Sequence, residues 1–209
     1  MRPSKATLAV GVAAALVVGG LGYFAWAGAQ KRAQQRQVTA LVADATGKLK
    51  EALGRRATRE LVDAIDADAQ AVKAPRDPLL ASSAEQYIVA SREIVRRRTD
   101  ADRLLRQAAN SRRALEVHMT RGSRRSEGWF KEALELKTRV EIDHSDLSSA
   151  FKAYDDLLFD MSEMSKGLAP RIGEAPLLDR ASINTARKQG QAEAANATRE
   201  LERVRRLTP

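Results

Sequence analysis

Arg98 and Arg112 stand fourteen residues apart, two heptads, on a stripe of otherwise apolar or small side chains. A guanidinium there can lay its stem along a groove between helices and meet a neighbour's carboxylate, or it can help hold an anion between helices. Arg96 and Arg97 adjoin the first of the pair. The candidate contacts for an anion or an acidic partner are therefore Arg96, Arg97, Arg98 and Arg112. A second candidate is His144, which lies on a stripe between Val140 and Leu147 with Asp143 and Asp146 beside it and Glu141 three residues before. One histidine among scattered acids falls short of a metal set, which needs further ligands a helical turn away or on a facing helix. The position reads as a satisfied core histidine, and His118, beside its stripe, as a surface one.

Other chemistry is missing. The chain has no cysteine, which removes disulfides, thiolate metal sites and lipid acylation. No serine sits in a Gly-x-Ser-x-Gly elbow, and no glycine loop is built to cradle phosphate. Asp155, Asp156 and Asp160 fall on a helical pattern without the loop spacing of a calcium site. No cofactor, metal or catalytic residue is expected, and the chain does not read as an enzyme.

The elements that carry these residues are helices. Residues 30–73 place Val38, Val42, Ala45, Leu49, Ala52, Leu61, Ile65 and Val72 at helical spacing, with a phase slip at Gly54 that predicts a kink or short break near 54–58. Pro75 and Pro78 end that segment. The stripe Ala84, Tyr87, Ser91, Ile94, Arg98, Ala101, Leu105, Ala108, Arg112, Leu115 and Met119 forms a heptad seam over about 79–121. Gly122-Ser123 ends it, and Ser126 reads as the start of a third helix over 126–168. That helix carries the longest stripe: Phe130, Ala133, Val140, His144, Leu147, Phe151, Tyr154, Leu158, Met161 and Leu168. Gly167, Pro170, Gly173 and Pro176 predict a second break. A last helix over 176–206 carries a weak stripe of small residues from Ile183 to Val204.

Ahead of this domain, residues 6–29 contain no charged side chain, and twenty-four such residues suffice to cross a bilayer as a helix. Tyr23, Phe24 and Trp26 stand at the downstream edge beside Lys31 and Arg32, as in an interfacial belt. Residues 1–5 form a basic tail, 6–29 a transmembrane anchor and 30–209 the helical domain. The competing reading is a cleaved signal peptide, because small residues at Ala25, Ala27 and Ala29 offer cleavage spacing. Gly11, Ala15 and Gly19 recur every fourth residue and define a possible transmembrane packing face. Basic residues flank the span on both sides, so the charge rule does not orient it. A signal-anchor arrangement in a cell (inner) membrane, single-pass, with the bulk of the chain extracytoplasmic, is the expectation.

The formal charge is +9, with 30% charged, 44% hydrophobic and only 4% aromatic residues. Residues 79–125 hold eleven arginines against five acids, and 126–168 hold five basic residues against ten acids. Consecutive antiparallel helices would set these two faces against each other. The expected architecture is all-α: an N-terminal transmembrane helix followed by an elongated up-down antiparallel helical bundle with coiled-coil-like packing. In outline this resembles the sensory half of bacterial chemoreceptors. Those receptors re-enter the membrane after their fourth helix, whereas this sequence ends at Leu207-Thr208-Pro209, so the likeness is architectural and carries no residues across.

The expected function is a membrane-anchored scaffold or subunit of an envelope complex, working by protein–protein contact with a partner or as a homo-oligomer. One alternative is an extracytoplasmic ligand-sensing or anion-binding bundle, its small-molecule ligand unspecified. Another is nucleic-acid or anionic-lipid binding by the arginine clusters. The low aromatic content and the acidic helix make nucleic acid the weaker partner.

Overall fold

The computed structural model describes residues 5–54, 59–72, 78–120, 126–172 and 177–206, with the backbone alone for 5–25. Five helices make up the order α1 (Lys5–Gly54), α2 (Arg59–Ala71), α3 (Pro78–Thr120), α4 (Glu127–Ile172) and α5 (Arg180–Arg206). No strand occurs among the described residues. Their packing is that of an all-helical bundle. At 1.5 Å per residue, α3 and α4 each extend about 65–70 Å.

The phase slip at Gly54 marks a reversal, not a kink. Lys48 on α1 reaches Asp68 on α2 at 2.6 Å and the Ala64 carbonyl at 3.2 Å. In one continuing helix, residues 16 and 20 apart would be separated by about 24–30 Å. The first segment is therefore two helices folded into a hairpin, and its core is made by Val42, Ala45, Leu49 and Ile65.

The antiparallel pair α3–α4 is the spine, in contact along its length. Its lower half, Pro78 to about Arg98 on α3 and Phe151 to Ile172 on α4, is covered by α1 and α2, with the first turns of α5 lying over Phe151 to Asp155. Its upper half is covered by α5 alone. This division explains the burial pattern on α3. Tyr87, Ile88, Ile94 and Val95 are fully enclosed in the lower half. Leu105, expected on the seam, is 37% exposed at the crossover, and Phe130, expected in the core of α4, is 53% exposed at the far end. A heptad pattern says which way a side chain faces, but a helix must still arrive there to cover it.

Two expected boundaries move. Gly167 and Pro170 do not end α4, which continues to Ile172. The final carbonyls find partners on α1: Gln35 Nε2 donates to Arg171 O at 2.8 Å and Thr39 Oγ1 to Ile172 O at 3.4 Å. These satisfy acceptors that every helix end leaves open. The last helix begins at Arg180 instead of 176, because Asp179 is its cap: the carboxylate accepts the Ser182 N–H at 2.8 Å and the Ser182 hydroxyl at 2.7 Å.

Where the α4–α5 connection crosses the lower half, a chain of hydrogen bonds ties three parts of the molecule together. The Leu178 N–H donates to Tyr87 Oη at 3.0 Å, and Tyr87 Oη lies 2.9 Å from Thr46 Oγ1. Thr46 Oγ1 also lies 2.7 Å from the Val42 carbonyl, which can only accept. The Thr46 proton is thereby committed, so the Tyr87 hydroxyl donates to Thr46. Tyr87→Phe removes the hydroxyl and leaves the Leu178 N–H unpaired in a buried place, a loss of about 1–3 kcal/mol. Guanidinium denaturation should show a lower midpoint at unchanged slope. An unchanged midpoint would rule out this hydrogen-bond chain as a stabilising element.

Candidate functional site

The seam arginines are held by acids of their own chain. Arg98 Nη2 lies 3.3 Å from Asp102 one turn on, and its guanidinium carbon stands 6.0 Å from the Tyr154 ring centroid across the seam. Arg112 contacts Glu116 at 3.5 Å and Glu200 of α5 at 3.1 Å. Arg96 and Arg97 both pair with Glu93, at 3.7 and 2.8 Å, on the outer face. The four arginines thus do not converge: Arg98 and Arg112 lie two heptads apart, each with its own carboxylate partners.

The opposed charges of α3 and α4 do not meet in the way their segment totals suggest. Among the described residues, the ion pair between these two helices is His118–Glu132 at 3.6 Å, which requires the histidine to be protonated. The α3 arginines pair instead within α3, with Asp66 of α2 at 2.6 Å from Arg92, and with Glu200 of α5. The α4 acids are met by α5: Arg187 reaches Asp155 in a bidentate pair at 2.8 and 3.0 Å, and Arg205 lies 3.7 Å from Glu141. The physical reason is that the α3–α4 contact is filled by the apolar seam. Charged residues flank it and pair with the helices that lie there.

The Arg187–Asp155 pair holds the Asp155 carboxyl below the usual carboxylate range, first through the hydrogen bond from Arg187. It also fixes α5 against α4 where Gly190 lets the backbones approach. A Cβ at Gly190 would lie 3.2 Å from Tyr154 Cδ1. The small-residue stripe of α5 is therefore a close-packing surface against Tyr154 and Phe151.

His144 is buried, 5% exposed, with Nδ1 2.9 Å from the Val140 carbonyl. Glu141 pairs with Arg205, and Asp146 is exposed. No group of three or more His, Asp or Glu side chains that could hold a metal occurs among the described residues. Gly11, Ala15 and Gly19 fall where the backbone alone is described, so their packing face lies outside the described side chains.

Sequence reasoning missed a cleft between α3 and α4 in the upper half. It is lined by Arg103, Arg106, Gln107 and Asn110 from α3, and by Arg139 and Asp143 from α4. Asp143 is 3% exposed; its Oδ1 accepts from Gln107 Nε2 at 2.6 Å, whereas its Oδ2 is buried without a partner. A usable signal was present in the spacing Leu136, Val140, Asp143, Leu147, which puts the aspartate on a buried face, and in the polar run Arg103, Gln107, Asn110 opposite.

Tyr154 shows how dry the seam is. Burial pushes its phenol up to about 12, although the nearby Arg98 pulls the other way and Asp102 adds to the rise. The unfolded phenol ionises near 10. The stability that this difference contributes is complete below pH 10 and is lost as the pH rises from about 10 to about 12, by about 1.4 kcal/mol per unit. Absorbance titration of tyrosinate should show Tyr154 among the late-ionising groups. Tyr154→Phe should remove that late step and flatten the alkaline loss of stability; a tyrosine that ionises at its ordinary value would contradict the burial.

Comparison of the chain with protein-family models, curated proteins and solved structures returns no match.

Proposed function

We propose that the chain is a single-span membrane protein whose helical rod serves as a scaffold or subunit of an envelope complex, acting through protein–protein contact. The observation that carries the reading is the continuity of α1, unbroken from Lys5 to Gly54. The uncharged residues 6–29 and the first core residue, Val38, lie on one helix, about 14 Å apart along its axis. An anchor joined this way fixes the direction of the bundle as well as its position. Among the described residues no helix is long and apolar enough to cross a membrane; the side chains of 6–25, most of the uncharged run, lie outside them.

A second observation supports protein contact. At the end of the α3–α4 hairpin remote from the start of the bundle, Phe130 and Leu134 are 53% and 63% exposed, and Val117 is 38% exposed. Trp129 packs edge-on to Phe130 and stacks on His118, whose ring Nε2 lies 3.0 Å from the Trp129 carbonyl. Apolar surface beside such an ordered aromatic cluster suits a partner's surface. The seam arginines Arg98 and Arg112, each held by acids, lend no support to an anion site between them.

The test is fractionation. The full chain should stay with membranes through an alkaline wash, and a chain lacking residues 1–29 should be released to the soluble fraction while keeping its helical circular dichroism. Mass spectrometry should find the N-terminus intact; a mature chain starting near residue 30 would instead identify a cleaved signal. Crosslinking in intact cells followed by detergent extraction should capture a partner or a second copy, and recovery of the monomer alone would count against the scaffold. Protease added to cells whose outer membrane alone has been permeabilised should cut the rod if it stands outside the inner membrane.

A further inference from the structure

The cleft beneath Arg103, Arg106 and Arg139 has the polarity of a binding site. Its volume is about 610 Å³, and its lining carries three guanidiniums against a single carboxylate, Asp143. Arg103 Nη1 makes only a long contact to Gln107 Oε1, 3.4 Å. Arg106 and Arg139 form no ion pair with a described residue. Elsewhere in this bundle arginines pair readily with acids, as Arg92, Arg98, Arg112 and Arg187 do. Here two positive charges are left over at one place.

Asp143 adds a second and independent requirement. Its carboxylate is buried, held from one side by Gln107, and its free oxygen is without a hydrogen-bond partner. An unpaired buried acceptor costs about 1–3 kcal/mol, more when charged, so an occupant that brings a donor, and toward which the closed-off Asp143 carboxyl turns, relieves that cost. A plain anion such as sulfate meets the arginines but sets its oxygens against Asp143. A group with two carboxylates and a hydroxyl or ammonium between them meets both demands: the carboxylates take the guanidinium forks, and the donor takes Asp143 Oδ2.

We propose that this cleft binds a small dicarboxylate that carries a hydrogen-bond donor, of the hydroxy- or amino-dicarboxylate class. The site does not depend on the anchor or on the scaffold reading, and neither Arg98 nor the Phe130–Leu134 surface lines it. Occupancy would bridge α3 to α4 in the half of the rod that only α5 covers, and so would stiffen it.

The experiment is calorimetric titration of the full chain in detergent with L-malate, L-aspartate and succinate, which share two carboxylates and differ in the donor. L-malate or L-aspartate should bind with a Kd below about 1 mM, and succinate at least about tenfold more weakly, about 1.4 kcal/mol. In Asp143→Asn, Gln107 still holds the side-chain oxygen and the amide nitrogen turns an acceptor into a donor. The preference for L-malate over succinate should then disappear. Arg139→Gln alters an exposed side chain, so its thermal unfolding should be unchanged while binding falls about tenfold or more. Equal affinity for succinate and L-malate, absence of binding by all three below about 1 mM, or a preference that survives Asp143→Asn would each overturn the proposal.

Discussion

The arrangement turns on the Tyr87 hydroxyl, because inside the lower half of the spine it ties α1 to α3 and to the connection that launches α5. Tyr87 is fully enclosed, and its oxygen receives the Leu178 N–H while its proton goes to Thr46. Three segments far apart in sequence meet there: α1, α3 and the connection that launches α5. The geometry leaves no slack, since Thr46 has already given its own proton to Val42. Once these groups are paired, α1 ends alongside the first turns of α5, near Lys50 and Leu53 against Ala181 and Thr185. The two helices take turns covering the same spine.

Electrostatics follows from the same layout. A chain with only 4% aromatic residues and many alanines buries modest area per residue, so the seam between α3 and α4 must remain dry and continuous to hold the spine. Placing arginine–aspartate pairs across it would desolvate charges for little return. The chain instead keeps charge at the flanks, where α2 and α5 supply the partners. Arg98 shows the compromise: its stem runs on the seam, its ring contact is with Tyr154, and its charge is met by Asp102 on its own helix. Burial at this point is severe enough to hold the Tyr154 proton to about 12.

The helical stripes were legible in the amino-acid order because they are local. Ala84 to Leu115 and Ala133 to Leu168 keep the three- and four-residue steps that any buried helix face must keep. The reversal between α1 and α2 was not legible, since a slip of phase at Gly54 is common to a kink and a turn. Only the pairing of Lys48 with Asp68 separates the two. The exposed Phe130 and Leu105 misled for a related reason: periodicity carries no information about how far a partner helix extends. The extension of α4 past Pro170 depends on Gln35 and Thr39, more than 130 residues upstream. Asp143 was visible as a neighbour of His144, but its unpaired oxygen depends on Gln107 reaching only one side of the carboxylate, a fact of tertiary geometry.

A consequence concerns how an event at one end of the rod could be felt at the other. Among the described residues, the paired helices α3 and α4 run from the exposed Phe130 and Leu134 at one end to the Arg171 and Ile172 carbonyls bound by α1 at the other. Between them lie the cleft at Asp143, the crossover at Arg98 and the hydrogen bonds at Tyr87. A sideways shift of α4 against α3 at the cleft would be opposed by α5, because Gly190 packs its backbone onto Tyr154 and Arg187 grips Asp155. The upper half, with three helices, has fewer such restraints than the lower half, with four. A rigid movement of α4 would reach α1 directly, because Gln35 and Thr39 hold the Arg171 and Ile172 carbonyls at its end.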